Sequence, residues 1–151
     1  MRRHRKPLPV ILAALAVILV SGFWLLRMPG GGPEKTVREF YEYESNADFS
    51  SSYELLHEEM KERFPERAGY VQNKSHVFLQ HMEVETFSFK VGNAEKVKNW
   101  KMDAEHKAHK TAYEVPVTLE FESRFGIFTI EQNCYAVKEK GEWKLLWDYH
   151  F

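Results

Sequence analysis

The side chains that could do chemistry in this 151-residue chain are histidines, carboxylates, hydroxyls and one thiol. His106-Lys107-Ala108-His109 has the spacing that sets two imidazoles on one helical face, as a metal site needs. No metalloprotease glutamate follows, no cysteine is near, and Lys101, Lys107 and Lys110 add positive charge, so the segment reads as an exposed inter-strand turn without a metal. His76 and His81, five apart, fall on different sides of an α-helix, and His57 beside Glu58 and Glu59 needs only a solvated helix face. Ser50-Ser51-Ser52 lacks the context of a nucleophile elbow and reads as helix-start hydroxyls. The single cysteine, Cys134, lies between Asn133 and Tyr135 in a strand-like run, the setting of a buried thiol rather than a nucleophile. Asp148 and His150 alternate on one strand face and could pass a proton, or simply end the strand near solvent. Phosphate loops and dinucleotide fingerprints are absent, so no cofactor is expected.

Five residues form a candidate pocket lining. Trp143 and Trp147 share a strand face, and with Tyr113 they could line a cavity or fill a core. Gln132 interrupts an apolar strand pattern and would need a partner on a concave face, which is how a ligand site begins. Asp148 completes the set.

The elements that must position these residues follow from periodicity. Residues 8–26 run for 19 positions without a charge, behind Arg2, Arg3, Arg5 and Lys6. As a helix they would span about 28 Å, close to the hydrocarbon thickness of a bilayer. The basic flank keeps the N-terminus in the cytoplasm, and Trp24 suits the outer interface. The expectation is a cytoplasmic tail over 1–7, a signal-anchor helix over 8–26, a Gly/Pro-rich linker over 27–33 and an exported domain over 34–151. Cleavage near Val20-Ser21-Gly22, giving a secreted domain, is the alternative. Beyond residue 32 there are sixteen basic side chains against 22 acidic ones, a net of −6. That balance argues against nucleic acid and against anionic headgroups.

Within the exported part, Val37, Phe40, Tyr41 and Glu44 follow helical spacing after Pro33, and Asn46-Ala47-Asp48 breaks the run. Tyr53, Leu56, Met60 and Phe64 predict one further helix ended by Pro65, and 70–82 a third. From Val84 the period becomes two. A strand near Phe87 turns at Gly92-Asn93 into a partner over 94–102; Tyr113 to Phe121 is a half-buried strand, with Pro116 at an edge or bulge. Lys140-Gly141 closes a hairpin from 127–138 onto 143–149. Helices followed by an antiparallel meander make an α+β domain.

Two amphipathic helices, the second opened by Asn-Ala-Asp-Phe, then Tyr-Glu-Val-Pro-Val-Thr-Leu-Glu-Phe and a closing Trp-Lys-Leu-Leu-Trp-Asp-Tyr, resemble the nuclear transport factor 2-like superfamily. The resemblance is greatest to the non-catalytic N-terminal domain of low-affinity penicillin-binding transpeptidases. It implies a cone of helices packed on a curved antiparallel sheet, with a pocket. The sequence holds no Ser-x-x-Lys motif, so transpeptidase activity is not expected. The layout is also similar, in architecture alone, to bitopic scaffold subunits of conjugation and type IV secretion machines. The reading that follows is a non-catalytic, membrane-anchored binding domain whose partner is an envelope protein, a second copy of itself or a peptidoglycan-related ligand. A small pocket enzyme of isomerase or dehydratase type, and a structural subunit of a secretion machine, are the alternatives.

Overall fold

The computed structural model describes residues 31–148. The expected anchor over 8–26, the tail before it and His150 lie outside the described residues. Among those described, no helix is long and apolar enough to cross a membrane. The chain divides between Gly30 and Gly31, and the second unit is an α+β domain of helices on a curled antiparallel sheet, half a barrel in form.

Helix α1 spans Pro33–Ser45. Pro33 supplies a preset φ where no N–H is needed. Glu34 favours the positive end of the helix and accepts the Ala94 N–H at 3.0 Å, tying that end to the sheet. One stripe of α1 buries Val37, Phe40, Tyr41 and Glu44, and the helix touches β1, β3, β4 and β5, defined below. Asn46 and Ala47 end it, Ala47 at φ 56°. Asp48 then caps α2 (Phe49–Glu54) by accepting the Ser51 N–H at 3.1 Å.

The long second helix expected from Tyr53 to Phe64 is instead two short ones, α2 and α3 (Glu58–Arg63). The backbone between them is diverted to the sheet. Leu145 N–H donates to Leu55 O at 2.9 Å and His57 N–H donates to Leu145 O at 3.0 Å, around a parallel bridge of Leu56 with Leu145. A long-range pairing that satisfies buried backbone groups overrides a helical pattern that no other residue forbids. His57 restarts the helix, its Nδ1 accepting the Glu59 N–H at 3.2 Å. Pro65 follows the end of α3 as expected. Helix α4 (Arg67–Ser75) continues into a π-helical segment, His76–His81.

The strands are β1 (Phe87–Val91), β2 (Glu95–Trp100), β3 (His109–Ser123), β4 (Gly126–Glu139) and β5 (Glu142–Leu146). β4 lies between β3 and β5, and all pairings are antiparallel. β2 is not the partner of β1. Both pair with β3, β1 along 117–121 and β2 along 109–114, so together they form one interrupted strand. Pro116 sits at the interruption. It is flanked by β4 on one side, opposite Asn133, and its carbonyl accepts the Gly92 N–H at 2.8 Å on the other. In a strand the N–H and C=O of one residue point the same way, so the donor that Pro116 lacks faces the gap between β1 and β2. A central strand thereby tolerates proline without losing a ladder bond. Gly92 is required for this approach, because a Cβ there would lie 2.7 Å from Pro116 Cγ.

Val115, Val117, Leu119 and Phe121 alternate inward as the period predicts, joined by Phe87, Cys134, Ala136 and Leu145. The alternation fails at Cys134–Val137, where four consecutive residues are buried. There the sheet is covered on both faces: Trp100 folds back and stacks on Tyr135, with ring centres 4.2 Å apart. The β4–β5 turn is Lys140-Gly141, with φ 51° and 89°, the two left-handed residues of a type I′ hairpin.

Candidate functional site

The concave face of the sheet and the helices above it border a half-open cavity of about 270 Å³. Phe40, Tyr41 and Glu44 of α1 form one wall, and Tyr70 and Lys74 of α4 another. Phe87, Leu119, Phe121 and Gln132 form the floor, and Trp147 lies at the end of the sheet. Most of the lining is aromatic or aliphatic, with few polar groups, the usual make-up of a ligand cavity.

The polar groups are all engaged. Glu44 is 4 % exposed, and its carboxylate would cost several kcal/mol to bury unpaired. Ser52 Oγ and Tyr70 OH donate to Oε1 at 2.6 and 2.7 Å, and Lys74 Nζ donates to Oε2 at 2.8 Å. Lys74 also lies over the rings of Tyr70 and Phe78. Gln132 Nε2 donates to Tyr41 OH at 2.6 Å, which is the partner that a glutamine on this face requires. Tyr41 OH is 3.5 Å from Cys134 Sγ. Burial, then the neighbouring Cys134, holds the Tyr41 phenol well above its ordinary pKa. Burial pushes the Cys134 thiol up to about 12. Both stay protonated at neutral pH, so Cys134 is packing and not a nucleophile. Among the described residues, no buried side-chain nitrogen or oxygen lacks a hydrogen-bond partner.

Of the five residues expected to line a pocket, Gln132 and Trp147 border this cavity, Trp147 packing on Phe40 with ring centres 5.2 Å apart. Tyr113 and Trp143 are brought together elsewhere, edge to face at 5.3 Å, near Lys138. Asp148 is exposed and lines a separate surface groove, which Gln132 and Trp147 also border.

A second constellation lies where the start of α3 comes up against the start of β3. His57 caps α3, Glu59 is in its first turn, and His109 is the first residue of β3. One ligand atom from each lies within 4.8 Å of the other two. His109 Nε2 is 3.1 Å from Glu59 Oε2, and the two imidazoles meet edge to face at 5.2 Å. Glu139 Oε1 is 3.5 Å from His57 Nε2. Burial lowers the His57 pKa, against the pull of the Glu139 and Glu59 carboxylates. His57 is thus not on a solvated face: it is 9 % exposed. His106 does not join His109. It turns to Asp103, 2.6 Å away, in the loop between β2 and β3. The spacing of His57 and Glu59 was a visible signal for this constellation. The chain 50 residues away that completes it was not.

His76 and His81 also meet, with Nε2 atoms 2.9 Å apart. The expectation that they diverge assumed 3.6 residues per turn. A π-helical turn is wider and brings positions five apart into line.

No family model matches the chain, and no curated protein matches it.

Proposed function

We propose that this chain is a membrane-anchored, extracytoplasmic binding domain of the nuclear transport factor 2-like kind, most similar to the non-catalytic domain of the transpeptidases named above. In this reading the curled sheet and the helices form a cone, and the cavity within it receives one aromatic or aliphatic group of an envelope partner. The observation that carries it is the state of Glu44. Its Oε1 accepts from Ser52 and Tyr70 and its Oε2 from Lys74, so the buried acid ties the wall of the cavity together. A general base must reach the substrate's proton directly, whereas this carboxylate is engaged by three donors of its own fold. What the cavity offers instead is shape, ring faces and a volume near 270 Å³, enough for a single side chain. Phe125 and Ile127, 77 % and 72 % exposed at the β3–β4 turn, add apolar surface of the sort a protein partner covers. The uncharged run over 8–26 behind a basic flank supports the anchor, and the −6 balance supports a protein partner over nucleic acid.

The test is a titration of the full chain, in lipid nanodiscs, with p-cresol as a mimic of a tyrosine side chain. Saturable binding that raises the thermal midpoint is expected, and Ile130→Trp, at a residue that lines the cavity, abolishes it by filling the space. A midpoint that does not move at any concentration contradicts the reading.

A further inference from the structure

We propose that His57, Glu59 and His109 form a site for one divalent first-row transition metal ion, with Glu139 as the outer carboxylate that orients His57. The argument starts from donor chemistry. Two imidazoles and one carboxylate are borderline ligands, suited to zinc and its neighbours and poorly suited to calcium or magnesium, which take oxygen. Metal–ligand bonds of 2.0–2.2 Å place tetrahedral donor atoms about 3.4 Å apart. The His109–Glu59 pair is already at that spacing, at 3.1 Å. The widest separation in the trio, within 4.8 Å, closes to that spacing by side-chain rotations that bring the atoms about 1.4 Å nearer.

The trio also stands on ordered elements. His57 is held by the backbone bond from its N–H to Leu145 O; its Nδ1 exchanges the Glu59 N–H for the metal while Nε2 stays on Glu139, and His109 is held by the pairing of β3 with β2 at Trp100. Trp100 stacks over the His109 ring, 6.1 Å centre to centre, and supplies an apolar wall that slows ligand exchange. Glu139 beside His57 is the outer carboxylate that metal-binding histidines usually have. Glu58 beside His57 adds negative potential, partly offset by Lys140, which pairs with it. Three protein ligands leave a fourth position open, the arrangement in which a metal holds water or a partner's side chain rather than serving structure alone.

The experiment uses the full chain without a polyhistidine tag, in lipid nanodiscs, stripped with EDTA and titrated calorimetrically with zinc chloride. Cobalt(II) absorption in the visible reports the coordination. One zinc per chain and a tetrahedral cobalt spectrum are expected. His57→Asn and His109→Asn each remove both signals, and Glu139→Gln weakens zinc binding about tenfold. Asparagine is a good helix cap, so His57→Asn keeps α3 intact, which circular dichroism checks. His76→Asn with His81→Asn leaves zinc binding unchanged. Absence of zinc binding overturns the proposal. So does binding that survives both His57→Asn and His109→Asn, whether or not it is then lost with the His76/His81 pair.

Discussion

Glu44 joins α1, α2 and α4 through one buried carboxylate. Glu44→Gln keeps the shape and removes the charge that Lys74 and two hydroxyls are arranged around. Hydrogen bonds to a charged group contribute about 1.5–3 kcal/mol, so the variant loses about 2 kcal/mol in urea unfolding, with the m-value unchanged. Asp103 and His106 make a different, half-buried pairing. The His106 imidazole hydrogen-bonded to Asp103 has a raised pKa, and the same bond holds Asp103 well below the carboxylate range. The contribution of His106 to stability is complete below the ordinary histidine value and disappears as pH rises through its raised value. That of Asp103 is complete above the ordinary aspartate value and disappears as pH falls through its depressed one. The loop between β2 and β3 is therefore held most firmly between those limits. Nuclear magnetic resonance titration of the His106 ring gives a pKa above the ordinary histidine value, and Asp103→Asn brings it down.

Elements whose identity depends on one buried face could be read from the chain. β3 alternates because its inner face meets α1, α1 has its stripe for the same reason, and Lys140-Gly141 turns because both residues take φ > 0. What failed were decisions made across distance. The break at Leu55–His57 is set by Leu145, and β2 joins β3 because β1 and β2 lie end to end along it. The π-helical segment has no local residue signal that we can name. The candidate sites divide the same way. Gln132 and Trp147 were legible because a polar or aromatic residue on an inward strand face needs an explanation. Glu44 with Lys74, and His57 with His109, were not, because each pair is made by folding. Gly92 belongs to this scale as well. Gly92→Ala forces a methyl against the Pro116 ring and separates β1 from β3 where the edge changes over. Overpacking of this kind costs about 1–3 kcal/mol, visible as a fall in thermal midpoint, whereas Gly69→Ala, with open space around its Cβ, does not lower it.

At the scale of the whole molecule, the reading is of a folded head with a cavity, kept close to a membrane by a single apolar segment. A tether restricts the head to a thin shell and raises the effective concentration of membrane-bound partners without any new contact. Under the proposed anchoring, a cavity sized for one side chain would suffice for an interaction, since weak individual contacts add up when both partners are confined. The most direct test is protease shaving of intact spheroplasts expressing the full chain. We predict that protease added outside cuts in the glycine-rich stretch near residues 30–32 and releases the α+β domain, while the N-terminal segment remains with the membrane fraction. Full-length chain recovered in the soluble cytosolic fraction, untouched by the protease, would contradict the account.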